Sequence, residues 1–461
     1  MEALFRRVAE LDEAARVKLG ISSEILMENA ARSLSEIIRA RFPASSVVQI
    51  IAGSGDNGAD GIALARMLMG DYRVRLIMPF GVRSELGKLQ LARARACEIE
   101  EGEELLEKSD VLIDALFGSG LSRPLDYAAL EILHAMNATK SYKIACDIPS
   151  GINPKGNADP EAFRADLTCV MGAIPEAIFN DGAKEFIGEL IMGNLGVARA
   201  LYEKLAPPSA YLLEAHDICL PHRLHADTHK GSYGHVAVVA GEQGGASVLS
   251  ALSALNFGAG LVSLVGEVEN APHELMKKRA IPENTSVIAC GMGLGAREIP
   301  EEIYALPSVI DADMFHRSEL IRLLEQNQNL ILTPHAREFS SLLERTNLAK
   351  VSASEVQKDR FALVRKFTKA YPHATLVLKG ANPLIAQNEE LYVNPLGNQA
   401  LAKGGSGDVL SGIIAALLAQ GYAPLEAAIH GSLAHTLAAR KVNKADYALT
   451  PLDLVNALGN L

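Results

Sequence analysis

The sequence predicts an α/β protein of two successive domains, the first of them a doubly wound sheet of parallel strands covered by helices. Short apolar segments rich in β-branched residues, such as SVVQIIAG (46–53), alternate with helical stretches and end in polar turns that contain Gly or Pro. This alternation lapses over 203–231, where Pro207, Pro208 and Pro221 break any period, and it restarts at HVAVVAG (235–241). We therefore place the domains at 1–208 and 209–461.

Periodicity assigns the main elements in order. Residues 22–42 show helical periodicity after a Ser cap. The first half then offers four apolar strands, each closed by a polar turn: SVVQIIAG, RVRLIMPF, DVLIDALFG and YKIACDIPS. The second half offers HVAVVAG, LVSLVGE, SVIACGMGLG, LILTPH and TLVLKGANPLIA, and then a glycine-rich loop with a long apolar helix at 404–421. Ligands of such sheets bind at the carboxyl ends of the strands, where these turns lie.

Composition excludes several classes of protein. Of the 461 residues, 49% are hydrophobic and only 5% aromatic, with no Trp and a net charge of −11, which argues against a nucleic-acid binder. The five cysteines form no CxxC pair and are interpreted as reduced thiols of a cytoplasmic protein. No apolar run approaches the ~18 residues of a membrane span, and the charged N-terminus is unlike a signal peptide. We expect no nucleic-acid partner and no membrane contact.

The first polar cluster, Gly53 to Gly61, directly follows a strand and opens a helix. Its four glycines allow a tight turn and close approach to a ligand, and a helix N-terminus favours an anion such as a pyrophosphate. The acids Asp56 and Asp60 are costly beside a phosphate unless they bind a cation or substrate hydroxyls. The presence of two acids in a turn otherwise suited to an anion favours a functional site over a plain turn.

Two more strand ends carry a carboxylate. Asp114 precedes a loop with two glycines, hydroxyls and Arg123, and Asp147 begins the turn that contains Ser150. Each Asp could instead be an ordinary cap or turn residue. Together with Asn57, these side chains could bind a hard cation through oxygen and present a base to a substrate.

The fourth cluster is Gly404-Gly405-Ser406-Gly407-Asp408. A GGSG segment ahead of a helix forms a nest of backbone N–H groups that can hold the charge of a phosphoryl group. Asp408 would deprotonate a hydroxyl that attacks the phosphorus. The alternative, a plain first-turn helix residue, leaves the three glycines unexplained. Two further loops at strand ends, 333–335 and 379–383, complete this set, although His335 could be only a hydrogen-bonded loop residue.

These clusters resemble two known families. GSGDNGADG, DALFGSGLSRP and DIPSG resemble the ligand loops of the NAD(P)H-hydrate epimerase (YjeF N-terminal) family. HKGSYGHVAVVAGEQGGA, CGMGLG, DADMF, TPHARE, LKG and ALAKGGSGDVLSGI resemble the ADP-dependent NAD(P)H-hydrate dehydratases. The resemblance covers nearly the whole chain, and the two families in this order resemble bifunctional NAD(P)H-hydrate repair enzymes. It implies a Rossmann-like first domain and a ribokinase-like second domain.

The resemblance also implies roles for individual residues. The substrates would be hydrated NADH and NADPH (NADHX and NADPHX), with ADP as co-substrate, potassium as cofactor and a possible need for magnesium. The hydrated nucleotide of the epimerase site would contact Asp56, Asn57, Gly58, Ala59, Asp60, Gly118, Ser119, Gly120, Leu121, Ser122, Arg123, Pro124 and Asp147. Potassium would bind Asn57, Asp114 and Ser150. In the second domain the hydrate would face Ala246, Gly293, His335 and Asp408, and ADP would face Lys379, Gly380, Ala381, Asn382, Pro383 and Gly407. Asp147 and Asp408 would be the catalytic residues.

The sequence departs from the family patterns at a few positions. Asp56 stands where a neutral amide is usual, Ala59 where glycine is usual, and Pro175 follows a GA-x segment that usually continues with lysine. Lys403 replaces a threonine and would add a positive charge near the phosphates. Two other interpretations stay open at this point. One is a small-molecule kinase with an accessory domain, and the other gives the first domain a non-catalytic nucleotide-binding, RNA-binding or scaffolding role. We also expect a homo-oligomer.

Overall fold

The computed structural model describes residues 1–121 and 123–461, and its internal contacts divide the chain into two compact units. One unit comprises Ala3–Ala210, and the other comprises Tyr211–Leu461 together with Met1–Glu2. We refer to them as the first and the second domain. Each is an α/β unit with a largely parallel sheet and its own buried apolar core, which confirms the predicted fold class.

The elements of the first domain alternate along the chain as the periodicity predicts. Its strands are β1 (Glu2–Phe5), β2 (Val47–Ala52), β3 (Arg73–Ile77), β4 (Glu100–Gly102), β5 (Lys108–Ala115), β6 (Lys140–Cys146), β7 (Leu167–Met171), β8 (Ile174–Pro175) and β9 (Glu189–Gly193). Its α-helices are α1 (Val8–Leu19), α2 (Ser23–Arg41), α3 (Asp56–Leu68), α4 (Glu85–Ala96), α5 (Tyr127–Ala138), α6 (Lys184–Ile187) and α7 (Arg199–Glu203). The Ser22 hydroxyl caps α2 by accepting from the Ile25 N–H at 3.3 Å.

The strand order of the first domain determines where a ligand can bind. Seven strands form a parallel sheet in the order β4-β3-β2-β5-β6-β7-β9, and β1 and β8, which pair with each other, are not part of it. From β2 the chain proceeds to β3 and β4 on one side and then crosses to β5, β6 and β7 on the other. The order therefore reverses between β2 and β5, and such a switch point leaves a crevice at the carboxyl ends of the two strands.

Strands and helices also alternate along the chain of the second domain. Its strands are β10 (Ala210–Leu212), β11 (His235–Val239), β12 (Leu261–Val265), β13 (Met276–Lys278), β14 (Val287–Cys290), β15 (Ser308–Ile310), β16 (Leu330–Leu332), β17 (Thr375–Leu378), β18 (Leu384–Gln387) and β19 (Glu390–Val393). Its α-helices are α8 (Gly244–Asn256), α9 (Glu319–Gln326), α10 (Ala336–Arg345), α11 (Ala353–Lys358), α12 (Arg360–Ala370), α13 (Ser406–Ala419), α14 (Pro424–Lys441) and α15 (Pro451–Ala457).

The sheet of the second domain is parallel from β13 through β12, β11, β14, β15 and β16 to β17, and it continues with the antiparallel strands β18 and β19. The apolar helix predicted at 404–421 is α13, which packs between α8 and α14 with most of its side chains buried. A Cβ at Gly412 would lie 2.0 Å from the Ser250 carbonyl oxygen, so only glycine lets α13 approach α8 this closely. Among the described residues, no helix has both the length and the apolar character needed to cross a membrane.

Candidate active sites

In the first domain, the turn after β2 lies at the switch point and leads into α3. A Cβ at Gly58 would lie 1.9 Å from the Gly53 carbonyl oxygen, and a Cβ at Gly53 would lie 1.8 Å from the Leu116 carbonyl oxygen. These two glycines bring the start of α3 onto the loop that follows β5. The clusters predicted after β2 and β5 therefore meet in the crevice.

The Asn57 side chain is the clearest sign of a ligand site in this crevice. Within the described part of the chain, both its Oδ1 and its Nδ2 are buried without a hydrogen-bond partner. A Cβ at Gly118 would lie 3.2 Å from Asn57 Cγ and 3.0 Å from Asp147 Oδ2. Because a buried polar group is costly without a partner, an unpartnered amide here indicates that a bound group completes the site.

Asp114 and Ser150 form a buried pair beside this crevice. Ser150 donates to the Asp114 carboxylate from its backbone N–H at 2.7 Å and from its hydroxyl at 2.6 Å. The Leu116 N–H adds a third bond at 3.1 Å. Burial raises the pKa of Asp114 to about 6, against the lowering effect of these hydrogen bonds. The arrangement joins the carboxyl ends of β5 and β6 through oxygen atoms suited to a hard cation.

Asp147 has a backbone conformation that is uncommon for a residue with a side chain. Its φ is +67°, and its Oδ2 accepts a hydrogen bond from the Ser119 N–H at 2.9 Å. Burial raises the pKa of this carboxyl group, and the charge of Asp12 adds to the increase, whereas the Ser119 bond opposes it. A left-handed residue at a strand end is strained, and such strain is concentrated at functional sites.

Asp60 and Asp12 add two more acids to the same region. The pKa of Asp60 is well above its usual range because of burial and the charges of Asp147, Asp56 and Asp12. Asp12 lies on α1 and accepts a bond of 2.5 Å from the Tyr202 hydroxyl. Burial also raises the pKa of Asp12. The crevice thus collects carboxylates that a cation or bound protons must offset before an anionic nucleotide can enter.

The other residues implied for the first site differ in exposure. Gly58 and Ala59 are buried, whereas Asp56, Ser119, Gly120, Arg123 and Pro124 are exposed, and Leu121 is half-buried. Ser122 lies outside the described residues. The structure therefore brings Asn57, Gly118, Ser119 and Asp147 together, while the end of the 118–124 loop faces solvent.

In the second domain, the glycine-rich segment forms the N-terminus of α13. Gly405 has a φ of +92° and precedes the helix, and Asp408 lies in its first turn. Burial raises the pKa of Asp408 to about 6, with contributions from Asp311 and Glu338 that Lys379 opposes. A carboxylate of this strength is ionised at neutral pH and is still a better base than an ordinary Asp.

Lys379, at the carboxyl end of β17, lies against the same helix end. Its ammonium is 3.2 Å from the position that a Cβ at Gly407 would occupy. It donates to Asp311 Oδ1 at 2.7 Å and lies 3.8 Å from Glu338 Oε2. Burial lowers the pKa of Lys379, but Asp311 and Glu338 outweigh it, so the net shift is upward and the ammonium stays charged. The charge and the N–H groups of α13 thus converge, as binding a phosphoryl group requires.

His335 lies beside this group as the cap of α10. Its Nδ1 accepts from the backbone N–H groups of Arg337 at 3.1 Å and Glu338 at 3.2 Å, and the backbone N–H of His335 donates to Glu338 Oε2 at 2.8 Å. Since Nδ1 is an acceptor, the ring proton is on Nε2, which lies 3.3 Å from Glu338 Oε1. A cavity of about 440 Å³ opens here, lined by His335, Ala336, Arg337, Ala353, Ser354, Gln357, Lys379 and Gly380.

The remaining residues implied for the second site lie at neighbouring strand ends. Gly293, which has a φ of +60°, follows β14, and its Cβ position is 3.4 Å from the Ala246 Cβ in α8. Ala381 is exposed, Asn382 is buried, and the Pro383 carbonyl accepts from the Asn394 N–H at 3.0 Å. The interpretation of Lys403 is corrected, because its ammonium donates to the carbonyl oxygens of Tyr447 at 2.8 Å and Leu449 at 2.6 Å. Lys403 therefore ties two loops together instead of offering a free charge to phosphate.

Several residues that the sequence interpretation omitted contribute to the two sites: Asp12, Tyr202, Asp311, Glu338 and Ser411. Asp311 and Glu338 belong to the DADMF and TPHARE segments; the signal for Asp311 was its place directly after a strand, and the signal for Glu338 was its place in the first turn of the helix that follows the TPH loop. Asp12 lies on α1 and Tyr202 on the five-residue helix α7, and because 190 residues separate them, no local sequence pattern predicts their contact.

Each domain presents a polar site at the carboxyl ends of its parallel strands, which is the arrangement of a two-domain α/β enzyme. The family model described as "YjeF-related protein N-terminus" matches residues 23–177, and the one described as "NAD(P)H-hydrate dehydratase" matches residues 236–460.

Relatives with both domains are similar over the whole chain. The bifunctional NAD(P)H-hydrate repair enzyme Nnr of Helicobacter pylori is 42% identical, with 100% of each chain covered. The corresponding enzyme of Coxiella burnetii is 34% identical, covering 94% of this chain and 93% of its own. The solved ADP/ATP-dependent NAD(P)H-hydrate dehydratase of Bacillus subtilis is 27% identical, covers 54% of this chain and 97% of its own, and has a TM-score of 0.46. The chain belongs to the family of bifunctional NAD(P)H-hydrate repair enzymes.

Proposed function

We propose that the two domains carry out the two steps that repair hydrated NADH and NADPH. Addition of water to carbon 6 of the nicotinamide ring yields R and S epimers. The first domain interconverts the epimers, and the second converts the S form back to NADH or NADPH with ADP. One observation carries the proposal. In a chain of this family, a carboxylate that can act as a base, Asp408, lies next to a phosphoryl-binding site formed by Gly407 and Lys379.

In the second domain, the reaction replaces a poor leaving group by a good one. Hydroxide departs slowly from carbon 6, whereas phosphate departs readily. Asp408 takes the proton of the 6-hydroxyl group, whose oxygen attacks the β-phosphorus of ADP and releases AMP. The phosphate then leaves carbon 6 with the bonding electrons while carbon 5 loses a proton, which restores the dihydronicotinamide.

The phosphoryl group needs positive charge as it transfers. The N–H groups at the start of α13 and the Lys379 ammonium supply it from fixed positions, so little reorganisation is required. ADP would extend from this point along Lys379, Gly380, Ala381, Asn382 and Pro383, and the hydrate would lie toward Ala246, Gly293 and His335. The cavity of about 440 Å³ that His335 shares with Lys379 and Gly380 supports a common site for the two ligands.

In the first domain, Asp147 is the group proposed to move a proton. Carbon 6 of the hydrate bears both a nitrogen and a hydroxyl group, so its configuration inverts when the hydroxyl leaves and returns from the other face. A carboxyl group whose pKa is raised by burial can donate the proton for the departure and recover it on the return. Asn57 and the 118–124 loop would hold the nucleotide in the crevice.

Potassium is proposed to bind among Asn57, Asp114 and Ser150. The unpartnered Asn57 Oδ1 and the buried Asp114 carboxylate fit a hard cation. When bound, the ion supplies positive charge that offsets the nearby carboxylates. Magnesium, which usually binds nucleotide phosphates with only one or two carboxylates, would arrive with ADP. The homo-oligomer and the cytoplasmic location stay predictions.

The experiment is to follow NADH absorbance when the purified protein meets S-NADHX, or a mixture of both epimers, with ADP or with ATP. We expect rapid conversion of S-NADHX with ADP and complete conversion of the mixture. Asp147→Asn should convert only the S fraction at the normal rate, and Asp408→Asn should convert neither. A protein that phosphorylates an unrelated alcohol with ATP and leaves the hydrate unchanged would instead support the kinase interpretation.

A further inference from the structure

Asp311 is a buried acid of the second domain that accepts three hydrogen bonds. It directly follows β15, and only 2% of the residue is exposed. Its Oδ1 accepts from the Lys379 ammonium at 2.7 Å and from the Ala312 N–H at 2.9 Å. Its Oδ2 accepts from the Ser411 hydroxyl at 2.8 Å. Burial of a carboxylate is costly unless the group is paired and hydrogen-bonded, and these three contacts provide that pairing.

The partners of Asp311 lie on the two elements that build the phosphoryl site. Lys379 directly follows β17, and Ser411 lies in α13, one turn after Gly407, whose carbonyl oxygen is 3.1 Å from the Ser411 hydroxyl. Asp311 therefore links the lysine to the helix whose N-terminus forms the nest. Glu338 is a weaker partner, since it lies 3.8 Å from the ammonium and also bonds the His335 backbone.

A lysine side chain has four rotatable bonds and a compact, strongly hydrated charge, so an unpaired ammonium near a phosphate samples many positions. A buried carboxylate at 2.7 Å removes this freedom before the substrate arrives. Preorganisation of this kind is where electrostatic catalysis gains most of its effect. Because Asp311 also bonds Ser411 of α13, the ammonium is held at a fixed position relative to the N–H groups of the nest.

We propose that Asp311 is a positioning residue for the dehydratase reaction, which holds the Lys379 ammonium against the first turn of α13 so that ammonium and nest bind the same phosphoryl group. This rests on the proposed function of the second domain. Asp311 acts through Lys379 and touches neither the hydrate nor ADP.

The test is a double-mutant cycle on the full chain with Asp311→Asn, Lys379→Met and the pair, measured with S-NADHX and ADP. Loss of one preorganised donor typically lowers kcat by roughly 10²–10³-fold, and we expect that range for Lys379→Met. Asp311→Asn should lower kcat by at least ~10-fold, as expected when a fixed donor becomes mobile. In the Lys379→Met background, Asp311→Asn should lower kcat no further. The affinity for ADP, measured by calorimetry, should follow the same non-additive pattern.

Asp313→Asn is the matched control, because Asp313 belongs to the same DADMF segment but accepts from the Gly295 N–H at 2.9 Å, whereas Lys379 pairs with Asp311 and Glu338. Its effect should be small and unchanged by Lys379→Met. If Asp311→Asn fails to fold, Ser411→Ala removes one anchor of Asp311 while keeping the ion pair, and its smaller loss should also vanish with Lys379→Met.

Multiplicative losses in the double variants would overturn the proposal, and losses relieved by excess magnesium in the Lys379→Met background would assign Asp311 to the metal instead. Failure of the wild-type protein to regenerate NADH would refute the proposed function itself. This result is distinct from the multiplicative losses that would refute only the role of Asp311.

Discussion

Replacement of Asp408 by Asn tests the chemistry of the second domain most directly. The carboxylate lies in the first turn of α13, beside Gly407 and within the field of Lys379. Asn keeps the size of the side chain and its place in the helix but cannot accept the proton of the 6-hydroxyl group. The backbone N–H groups of the nest are unchanged, so binding and proton transfer are separated by one substitution.

The pKa of about 6, which burial produces, determines how much of Asp408 is ionised and able to act as a base. At pH 7 roughly nine-tenths of such a group is ionised. A positioned base typically contributes roughly 10²–10⁴-fold to the rate, so dehydration should fall by at least ~10²-fold, or about 3 kcal/mol in the activation barrier. In the wild type, kcat/KM should decline as the pH falls through about 6, because Asp408 becomes protonated there. The Asn variant should lack this decline.

The assay records NADH absorbance from S-NADHX and ADP between pH 5 and 8, with ADP binding measured by calorimetry. Binding should survive or tighten, since a negative charge near the phosphates is removed. Ionised Asp408 has a raised pKa and therefore costs folding free energy above pH 6, so Asn should not lower the melting temperature at pH 7.5. Epimerisation in the first domain should be unchanged. Near-normal dehydration, or an acid decline that persists in the variant, would remove Asp408 from the mechanism.

Four further predictions concern the first domain and the division of the chain. Potassium should support epimerisation, and Asp114→Ala should slow that step far more than dehydration; equal rates with and without potassium, together with a silent variant, would reject the site. Because the raised pKa of Asp114 makes its ionised form a cost above about pH 6, potassium should raise the melting temperature mainly above that pH, and a rise of equal size at pH 5 would contradict the assignment. Gly58→Ala should destabilise the first domain by about 1–3 kcal/mol, as expected for overpacking, because the new Cβ would lie 1.9 Å from the Gly53 carbonyl oxygen. The control Gly55→Ala has no atom within 4 Å of its new Cβ and should change the denaturation midpoint little, so equal losses would refute the close-approach argument. A fragment starting at Ser209 keeps β10, which pairs with β19, and should melt cooperatively and convert S-NADHX but not R-NADHX. An aggregated fragment would indicate a shared core.

The amino-acid sequence alone predicted the fold class and most of the candidate site residues, because both depend on local sequence patterns. Alternating apolar strands and amphipathic helices predict parallel sheets, and parallel strands place all their carboxyl ends at one edge. Asp114 lies at the end of β5 and Asp147 directly follows β6, so their gathering at one edge of the sheet followed from chain order. Gly405, with a φ of +92°, is an example of a conformational need that the residue type itself signals.

The partners of these groups depended on the tertiary structure. Lys379 and Asp311 are 68 residues apart and directly follow strands β17 and β15, which are separated by β16, so no sequence period indicates that they form an ion pair. Lys403 looked like a charge for phosphate, yet its ammonium binds two carbonyl groups. The raised pKa values of Asp114 and Asp408 arise chiefly from burial, which exists only after the layers pack. Sequence determines which groups reach the edge of a sheet, whereas strand order and burial decide which of them touch and what charge they carry.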